Sequence, residues 1–143
     1  MSLSFKDKTV IITGASMGVG AACARAFCAE GANLVLVARG ADALNALATE
    51  LEHRTGVLAV SMDVADCDAG LKLLEQAQQR FGRIDVLVNN AGMQHRTPLE
   101  DFDPEMFNKL LQTNVASVFN VGQAVARHMI KREAGKIINI ASI

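Results

Sequence analysis

The sequence has no tryptophan, no tyrosine and only two prolines among its 143 residues. No apolar run approaches the roughly 20 residues that a helix needs to cross a bilayer. The N-terminal stretch also lacks the long apolar core of a signal peptide. The formal net charge is −1, so the chain carries no basic footprint for nucleic acid or an anionic membrane. We therefore expect a cytoplasmic protein without nucleic-acid or membrane partners.

Cysteine and histidine are scarce, and their spacing does not indicate metal ligands. Cys23, Cys28 and Cys67 form neither a C-x-x-C pair nor a zinc spacing, and the three histidines are far apart. Cys23 and Cys28 lie among alanines, and we interpret them as small buried apolar residues. We predict no metal site.

Half of the residues are hydrophobic and 20% are charged, which is typical of an α/β protein. Apolar runs alternate with segments of helical spacing along the whole chain, and no linker interrupts them. This alternation predicts parallel β-α-β units with right-handed crossovers. We predict one domain over residues 1–143, built on a doubly wound parallel sheet of strand order 3-2-1-4-5. A ligand would lie at the carboxyl ends of the strands.

The predicted strands cover residues 8–13, 34–38, 57–62, 84–88 and 136–141. The predicted helices cover residues 18–30, 41–53, a segment from Asp66 or Asp68 to Gly82, and 104–132, which Gly135 should end. Asp103 and Pro104 are typical of the cap and first residue of that last helix. Two apolar stripes are expected to be buried: Leu71, Leu74, Ala77 and Phe81 on the third helix, and Phe107, Leu110, Leu111, Val115, Val118, Val121, Val125 and Met129 on the fourth.

Three glycines follow the first strand, in the segment Thr13-Gly14-Ala15-Ser16-Met17-Gly18-Val19-Gly20. Gly14 would allow a sharp turn, Gly18 would leave room for a pyrophosphate, and Gly20 would let the helix pack close to the strand. Free N–H groups at the helix start would face the phosphates. A glycine triplet can also be a tight turn without a ligand, but its place after the first strand favours a dinucleotide site.

The ends of the second and third strands offer contacts for the rest of a dinucleotide. Arg39 follows strand two, where an acid would bind the ribose of NAD; a guanidinium suits the 2′-phosphate of NADP instead. The alternative for Arg39 is an ordinary surface arginine. Asp63 could accept the adenine amino group, with the Val64 backbone beside it, or could simply cap its turn.

Strand four ends in Asn89-Asn90-Ala91-Gly92. The two amides can stabilise a turn. The small residues after them leave a flat surface on which a ring could lie. As a pattern alone the segment predicts a turn, and beside the glycine turn of strand one it becomes a wall of a cofactor site.

Two further polar residues, Asn114 and Ser142, lie at positions where a side chain could take part in ligand binding or catalysis. Asn114 interrupts the apolar stripe of the last helix, and burying its amide without partners would cost about 1–3 kcal/mol. We expect its partner to be a carbonyl freed by a helix distortion, a water or a ligand network, although a structural asparagine at a bend is equally compatible. Ser142 follows strand five, where its hydroxyl could bond a substrate carbonyl.

Together these motifs resemble the short-chain dehydrogenase/reductase family over the whole chain, in that family's order and spacing. The resemblance implies a Rossmann-like fold and NAD(P)-dependent oxidation of an alcohol or reduction of a ketone. It implies that Asn114 and Ser142 are two members of a catalytic tetrad. It also implies cofactor contacts from Thr13, Gly14, Ser16, Met17, Gly18, Val19, Gly20, Asp63, Val64, Asn90, Ala91 and Gly92. With Arg39, NADP(H) is favoured over NAD(H).

The family's tetrad continues with a tyrosine about 13 residues after the serine and a lysine four residues later, and this sequence ends at Ile143. Since the tyrosine is the general acid/base, worth roughly 10²–10⁴-fold, we expect these 143 residues to be nearly inactive alone. They would be the first part of a longer enzyme, truncated before the last strands. The alternative is a non-catalytic dinucleotide-binding or sensor module.

The loop over residues 93–98 is similar to that of sugar-acid dehydrogenases of the gluconate type, and the family also holds 3-oxoacyl-carrier-protein reductases. Gln94 and Arg96 are the candidate substrate contacts, and Arg96 could bind a carboxylate with both of its donor groups. The alternative for Arg96 is a solvated loop charge. Family members are commonly dimers or tetramers, so we expect a homodimer or homotetramer acting on a small carbonyl or alcohol.

Overall fold

The computed structural model describes residues 4–141 and contains a five-stranded parallel sheet of order β3-β2-β1-β4-β5. This arrangement confirms the predicted α/β class and strand order. Ser142 lies outside the described residues. The strands are β1 (Thr9–Thr13), β2 (Asn33–Ala38), β3 (Val57–Ser61), β4 (Val86–Asn89) and β5 (Lys136–Asn139).

Helices connect consecutive strands, because parallel neighbours need a long crossover. They are α1 (Gly18–Ala29), α2 (Ala41–Leu51), α3 (Ala69–Phe81), α4 (Pro104–Leu111) and α5 (Ser117–Arg132). A short 3₁₀ helix (Leu99–Asp101) precedes α4, and a π-turn (Gln112–Ala116) joins α4 to α5. No helix within residues 4–141 is long and apolar enough to cross a membrane.

The core lies on both faces of the sheet, because alternate residues of each strand point to opposite sides. Val10 and Ile12 of β1 belong to the cluster shared with α1 and α2, whereas Ile11 between them packs with α3 and α5. Cys28 lies in the first cluster, and the partly buried Cys23 packs against it. Burial on both faces explains why the central strands read as continuous apolar runs.

The apolar stripe predicted for α3 is wrong at its first position. Leu71 is 62% exposed. Ala77 is buried as predicted, and the other buried residues of α3 are Ala69, Gly70 and Leu73. The cause is close packing against α5: a Cβ added to Gly70 would lie 2.6 Å from the Asn120 carbonyl oxygen. The glycine is on the buried face because a larger residue does not fit there.

The single long helix predicted over residues 104–132 is two helices joined by the π-turn. Asp103 Oδ1 accepts from the Glu105 N–H at 3.1 Å with Pro104 in the first turn, so the predicted start is confirmed. The second helix ends at Arg132, as predicted, but the residue that stops it is Glu133, whose φ of 56° takes the left-handed conformation, and not Gly135.

The stripe predicted for this long helix is buried only in its C-terminal half. Phe107, Leu111 and Val115 are 52%, 45% and 60% exposed, respectively. The wider π-turn changes the face that the helix presents on its two sides, so one continuous stripe cannot stay buried. The members that are buried all lie in α5: Val121, Val125 and Met129.

Candidate functional site

The turns after β1 and β4 meet at the carboxyl edge of the sheet. Thr13, at the end of β1, is buried, and its Oγ1 accepts hydrogen bonds from the N–H groups of Asn90 and Ala91, both at 3.0 Å. The Asn90 Nδ2 donates to the Gly14 carbonyl at 3.2 Å. The two motifs, whose bonded residues lie 76 to 78 positions apart in the sequence, therefore form one continuous surface, at the point where the chain leaves neighbouring strands in opposite directions.

Close packing explains two of the three glycines. Gly14 has a φ of +63°, and a Cβ there would lie 2.9 Å from Ala91 Cα. A Cβ on Gly20 would overlap the Gly14 carbonyl. These two positions hold the turn against the first helix and the end of β4, as the sequence predicts for Gly20.

Gly18 differs from the other two because nothing lies within 4 Å of the place its Cβ would occupy. It begins α1, whose first turn has no side-chain cap. Met17 and Val19 beside it are 73% and 56% exposed, and Ser16 is half-buried. Uncapped N–H groups at a helix start that opens onto free space are what a pyrophosphate requires.

The end of β2 lies against this turn. The Ala15 N–H donates to the Val37 carbonyl at 3.0 Å, two residues before Arg39. The Arg39 carbonyl accepts from Ser61 Oγ at 2.9 Å, which fixes its backbone, whereas its side chain is exposed. Within residues 4–141, no hydrogen bond or ion pair engages the Arg39 guanidinium. It is thus available to an anion beside the glycine turn.

The loop after β3 is a compact turn built on Asp63. Its Oδ1 accepts from the Ala65 N–H at 2.9 Å, and its carbonyl accepts from the Asp66 N–H at 3.1 Å. Val64 is buried. One carboxylate oxygen of Asp63 therefore caps the turn, and its second oxygen has no hydrogen-bond partner within residues 4–141.

Asn114 lies in the π-turn and is exposed, so the prediction that it is buried on an apolar stripe is wrong. Its partner is the loop after β4: Oδ1 accepts from the Met93 N–H at 2.8 Å and Nδ2 donates to the Met93 carbonyl at 2.9 Å. The predicted helix distortion is present, and Ser117 Oγ donates to the Thr113 carbonyl within it. The amide thus holds the loop by both of its polar atoms.

A cleft of about 580 Å³ opens between the loop after β4, the π-turn with the start of α5, and the end of β5, and neither the glycine turn nor Arg39 or Asp63 lines it. Asn114 and Gln94 line it, and so does Ala141, which is next to Ser142 in the sequence. Arg96 is exposed and does not border the cleft. Of the two candidate substrate contacts, the structure therefore brings only Gln94 to the cleft. The full lining is Asn90, Ala91, Gly92, Met93, Gln94, Asn114, Val118, Asn139, Ile140 and Ala141.

Comparison with known proteins assigns the architecture to a family. The family model described as short chain dehydrogenase matches residues 8–143. The chain belongs to the short-chain dehydrogenase family. The resemblance seen in the glycine turn and in the segment from Asn89 to Gly92 is confirmed.

Two curated relatives are similar over nearly the whole of this short-chain dehydrogenase chain. Gluconate 5-dehydrogenase of Gluconobacter oxydans (strain 621H) is 43% identical over 142 residues, covering 98% of the chain and 55% of that protein. The 5-keto-D-gluconate 5-reductase of Escherichia coli (strain K12) is 37% identical over 145 residues, covering 98% of the chain and 56% of that protein. The chain therefore spans little more than half the length of these relatives.

The fold is also that of solved short-chain dehydrogenases. A crystal structure of NAD⁺-bound xylitol dehydrogenase matches with a TM-score of 0.93 and 31% sequence identity, covering 98% of this chain and 55% of that one. A short-chain type dehydrogenase/reductase from Mycobacterium marinum matches with a TM-score of 0.92 and 35% identity, covering 97% of this chain and 57% of that one.

Two residues of this short-chain dehydrogenase site are not found by the sequence reasoning. Asn139 Oδ1 accepts from Asn89 Nδ2 at 3.0 Å, which ties the end of β5 to the end of β4. An asparagine within the apolar run of β5 is the signal that could have indicated it. Gln112, in the π-turn, donates to the Ala65 carbonyl at 2.8 Å, and no pattern in the sequence marks it.

Proposed function

We propose that the protein containing this chain is an NAD(P)-dependent oxidoreductase that transfers a hydride between the nicotinamide and a carbonyl or secondary alcohol. The observation that carries the proposal is the pair of hydrogen bonds from the Asn90 and Ala91 N–H groups to Thr13 Oγ1. They join the glycine turn to the small-residue surface after β4, so one extended ligand could contact both. Membership of the short-chain dehydrogenase family supports the same reaction class.

Three groups of residues in this chain would contact three parts of the dinucleotide. The uncapped start of α1 at Gly18 would take the pyrophosphate. The free carboxylate oxygen of Asp63 and the Val64 backbone would bind the adenine. The surface of Asn90, Ala91 and Gly92 would lie under the nicotinamide ring, which supplies the hydride when bound.

We infer a preference for NADP(H) over NAD(H), carried by Arg39. Its unengaged guanidinium lies at the end of β2, where a 2′-phosphate would give a charge-assisted contact. The xylitol dehydrogenase of similar fold is NAD⁺-bound. Arg39→Ala should weaken NADPH binding about tenfold or more, since a hydrogen bond to a charged group contributes about 1.5–3 kcal/mol, and should leave NADH binding unchanged. Arg127→Ala, an exposed arginine on α5, is the matched control.

In catalysis we assign Ser142 to hold the substrate carbonyl and Asn114 to organise a water-linked proton path. The test is hydride transfer by the complete reading frame that contains this chain, followed as NADPH absorbance. Ser142→Ala should remove turnover while leaving NADPH affinity intact. Dinucleotide binding without turnover for any carbonyl or alcohol would favour a non-catalytic binding module instead.

The substrate class that we propose is a sugar acid or its keto form. The names of both curated relatives described above refer to gluconate or its keto form. Gln94 borders the cleft and supplies a polar contact for hydroxyls, whereas Arg96 would have to turn toward the cleft to meet a carboxylate. Turnover of gluconate or 5-keto-gluconate, but not of the uncharged xylitol, is the expected outcome.

We further propose that the protein acts as a homodimer or homotetramer. Large apolar side chains are exposed along α4, the π-turn and α5, including Val115 and Phe119 at 60% and 64%. Covering them would remove apolar surface from water. Sedimentation velocity of the complete protein tests this, and a monomer would contradict it.

A further inference from the structure

The π-turn carries two side chains that bond two different loops of the site. Asn114 holds the backbone of Met93 in the loop after β4. Gln112 Nε2 donates to the Ala65 carbonyl, at 2.8 Å, in the loop after β3. Residues two apart on a helix lie on well-separated faces, so a single turn can reach both loops.

Ala65 is held by both of its backbone polar groups. Its N–H donates to Asp63 Oδ1 at 2.9 Å, and its carbonyl accepts from Gln112. Asp63 therefore uses one carboxylate oxygen to maintain the same turn whose far side Gln112 anchors. If the Ala65 carbonyl were released, the turn that sets the direction of the Asp63 carboxylate would lose its only side-chain hydrogen bond from α4, the π-turn or α5 among the described residues.

We propose that Gln112 is a positioning residue for the adenine end of the dinucleotide site. By fixing the Ala65 carbonyl, it sets the orientation of the Asp63 carboxylate and of the Val64 backbone toward the adenine amino group. The inference rests on the proposed function, since it requires a dinucleotide at this edge of the sheet.

The test compares NADPH with its analogue in which hypoxanthine replaces adenine and the amino group is absent. The unaltered chain should bind NADPH more tightly than the analogue. Gln112→Glu keeps the size of the side chain but removes the N–H donor, and should weaken NADPH binding about threefold to tenfold while leaving the analogue unchanged. A general loosening of the fold would instead weaken both ligands equally.

Gln76→Glu is the matched control, because Gln76 is an exposed glutamine of α3. It should change neither affinity. Gln112→Ala, which also lacks the donor, should reproduce the effect of Gln112→Glu.

A second measurement needs no ligand. Hydrogen exchange at the Ala65 and Asp66 amides should be faster in Gln112→Glu than in the unaltered chain and unchanged in Gln76→Glu. Unchanged exchange, or an unchanged preference for NADPH over the analogue, would overturn the role of Gln112 while leaving the proposed function standing. If the unaltered chain binds neither ligand, the proposed function fails, and the role of Gln112 fails with it.

Discussion

Thr13 Oγ1 accepts the backbone N–H groups of Asn90 and Ala91 together, each at 3.0 Å. One hydroxyl on β1 thus satisfies the first two amides after β4. The Asn90 amide returns a bond to the Gly14 carbonyl at 3.2 Å. The glycine turn and the segment from Asn89 to Gly92 are therefore one hydrogen-bonded unit, which the chain forms without a ligand.

Replacing Thr13 by valine should break this unit with little change of shape. Two part-buried N–H groups would lose their acceptor, and a buried donor left without a partner costs about 1–3 kcal/mol. We expect the free energy of unfolding, measured by urea denaturation, to fall by about that amount in Thr13→Val. Thr13→Ser keeps the hydroxyl and is the control; a loss in Thr13→Val no larger than that in Thr13→Ser would contradict the role of the hydroxyl.

Gly14 and Gly18 should respond differently to alanine. Both have a positive φ, +63° and +55°, which costs an L-residue about 1–2 kcal/mol. Only at Gly14 would the new Cβ also lie 2.9 Å from Ala91 Cα. Gly14→Ala should therefore be strongly destabilised, whereas Gly18→Ala should remain folded and lose NADPH affinity. Calorimetric unfolding and NADPH titration of both variants check this, and equal stability of the two would contradict it.

Asn114→Ala should release the loop after β4. Both hydrogen bonds to Met93 would be lost, and since the pair is exposed we expect a loss of only about 1 kcal/mol in the free energy of unfolding. Hydrogen exchange of the Met93 amide should become faster. Asn108→Ala, at an exposed position of α4, is the control and should leave that amide unchanged.

His128 lies at the opposite edge of the sheet, beside the start of β4. We expect it to make the free energy of unfolding depend on pH. Its Nε2 accepts from the Ile84 N–H at 3.1 Å, and the Gln78 amide lies 2.9 Å from Nδ1. Burial and then the nearby Arg132 and Lys131 lower the pKa of His128 below 6.5, against the opposing effect of Asp85. A protonated Nε2 could not accept the Ile84 N–H.

Because the folded pKa is depressed, the unfolded chain binds more protons once the pH approaches 6.5 from above. Stability should therefore be complete above that pH and decline as the pH falls toward the folded pKa. The measurement is the midpoint of urea unfolding between pH 8 and pH 5. His128→Gln should flatten part of this decline, whereas His53→Gln, at an exposed position, should not; identical profiles would exclude the role of His128.

The parallel sheet follows from the sequence because strands alternate with helices and the central strands, buried on both faces, are unbroken apolar runs. The sequence predicts the buried faces of the helices less well. Leu71 is exposed because Gly70 brings α3 close to α5. Phe107 and Leu111 of α4 and Val115 of the π-turn are exposed because the π-turn interrupts the helix. Periodicity assumes a uniform helix, and neither close approach at a glycine nor a widened turn is visible in it.

The parts of the candidate site that consist of a few consecutive residues could be predicted from the sequence. The glycine turn and the segment from Asn89 to Gly92 are local patterns, and the structure brings them together. The partner of Asn114 is the backbone of Met93, 21 residues away, and that of Gln112 is Ala65, 47 residues away. A side chain that bonds a distant backbone group can do so whatever residue carries that group, so the sequence does not indicate the partner. Only the structure reveals these two contacts.

The most direct test of the account is a calorimetric titration of the 143-residue chain with NADPH, alongside Gly18→Ala. We predict saturable binding of one NADPH per chain, competition by adenosine 2′,5′-bisphosphate, and a marked loss of affinity in the glycine variant. Absence of saturable binding, or binding that Gly18→Ala leaves unchanged, would contradict a dinucleotide site at the start of α1.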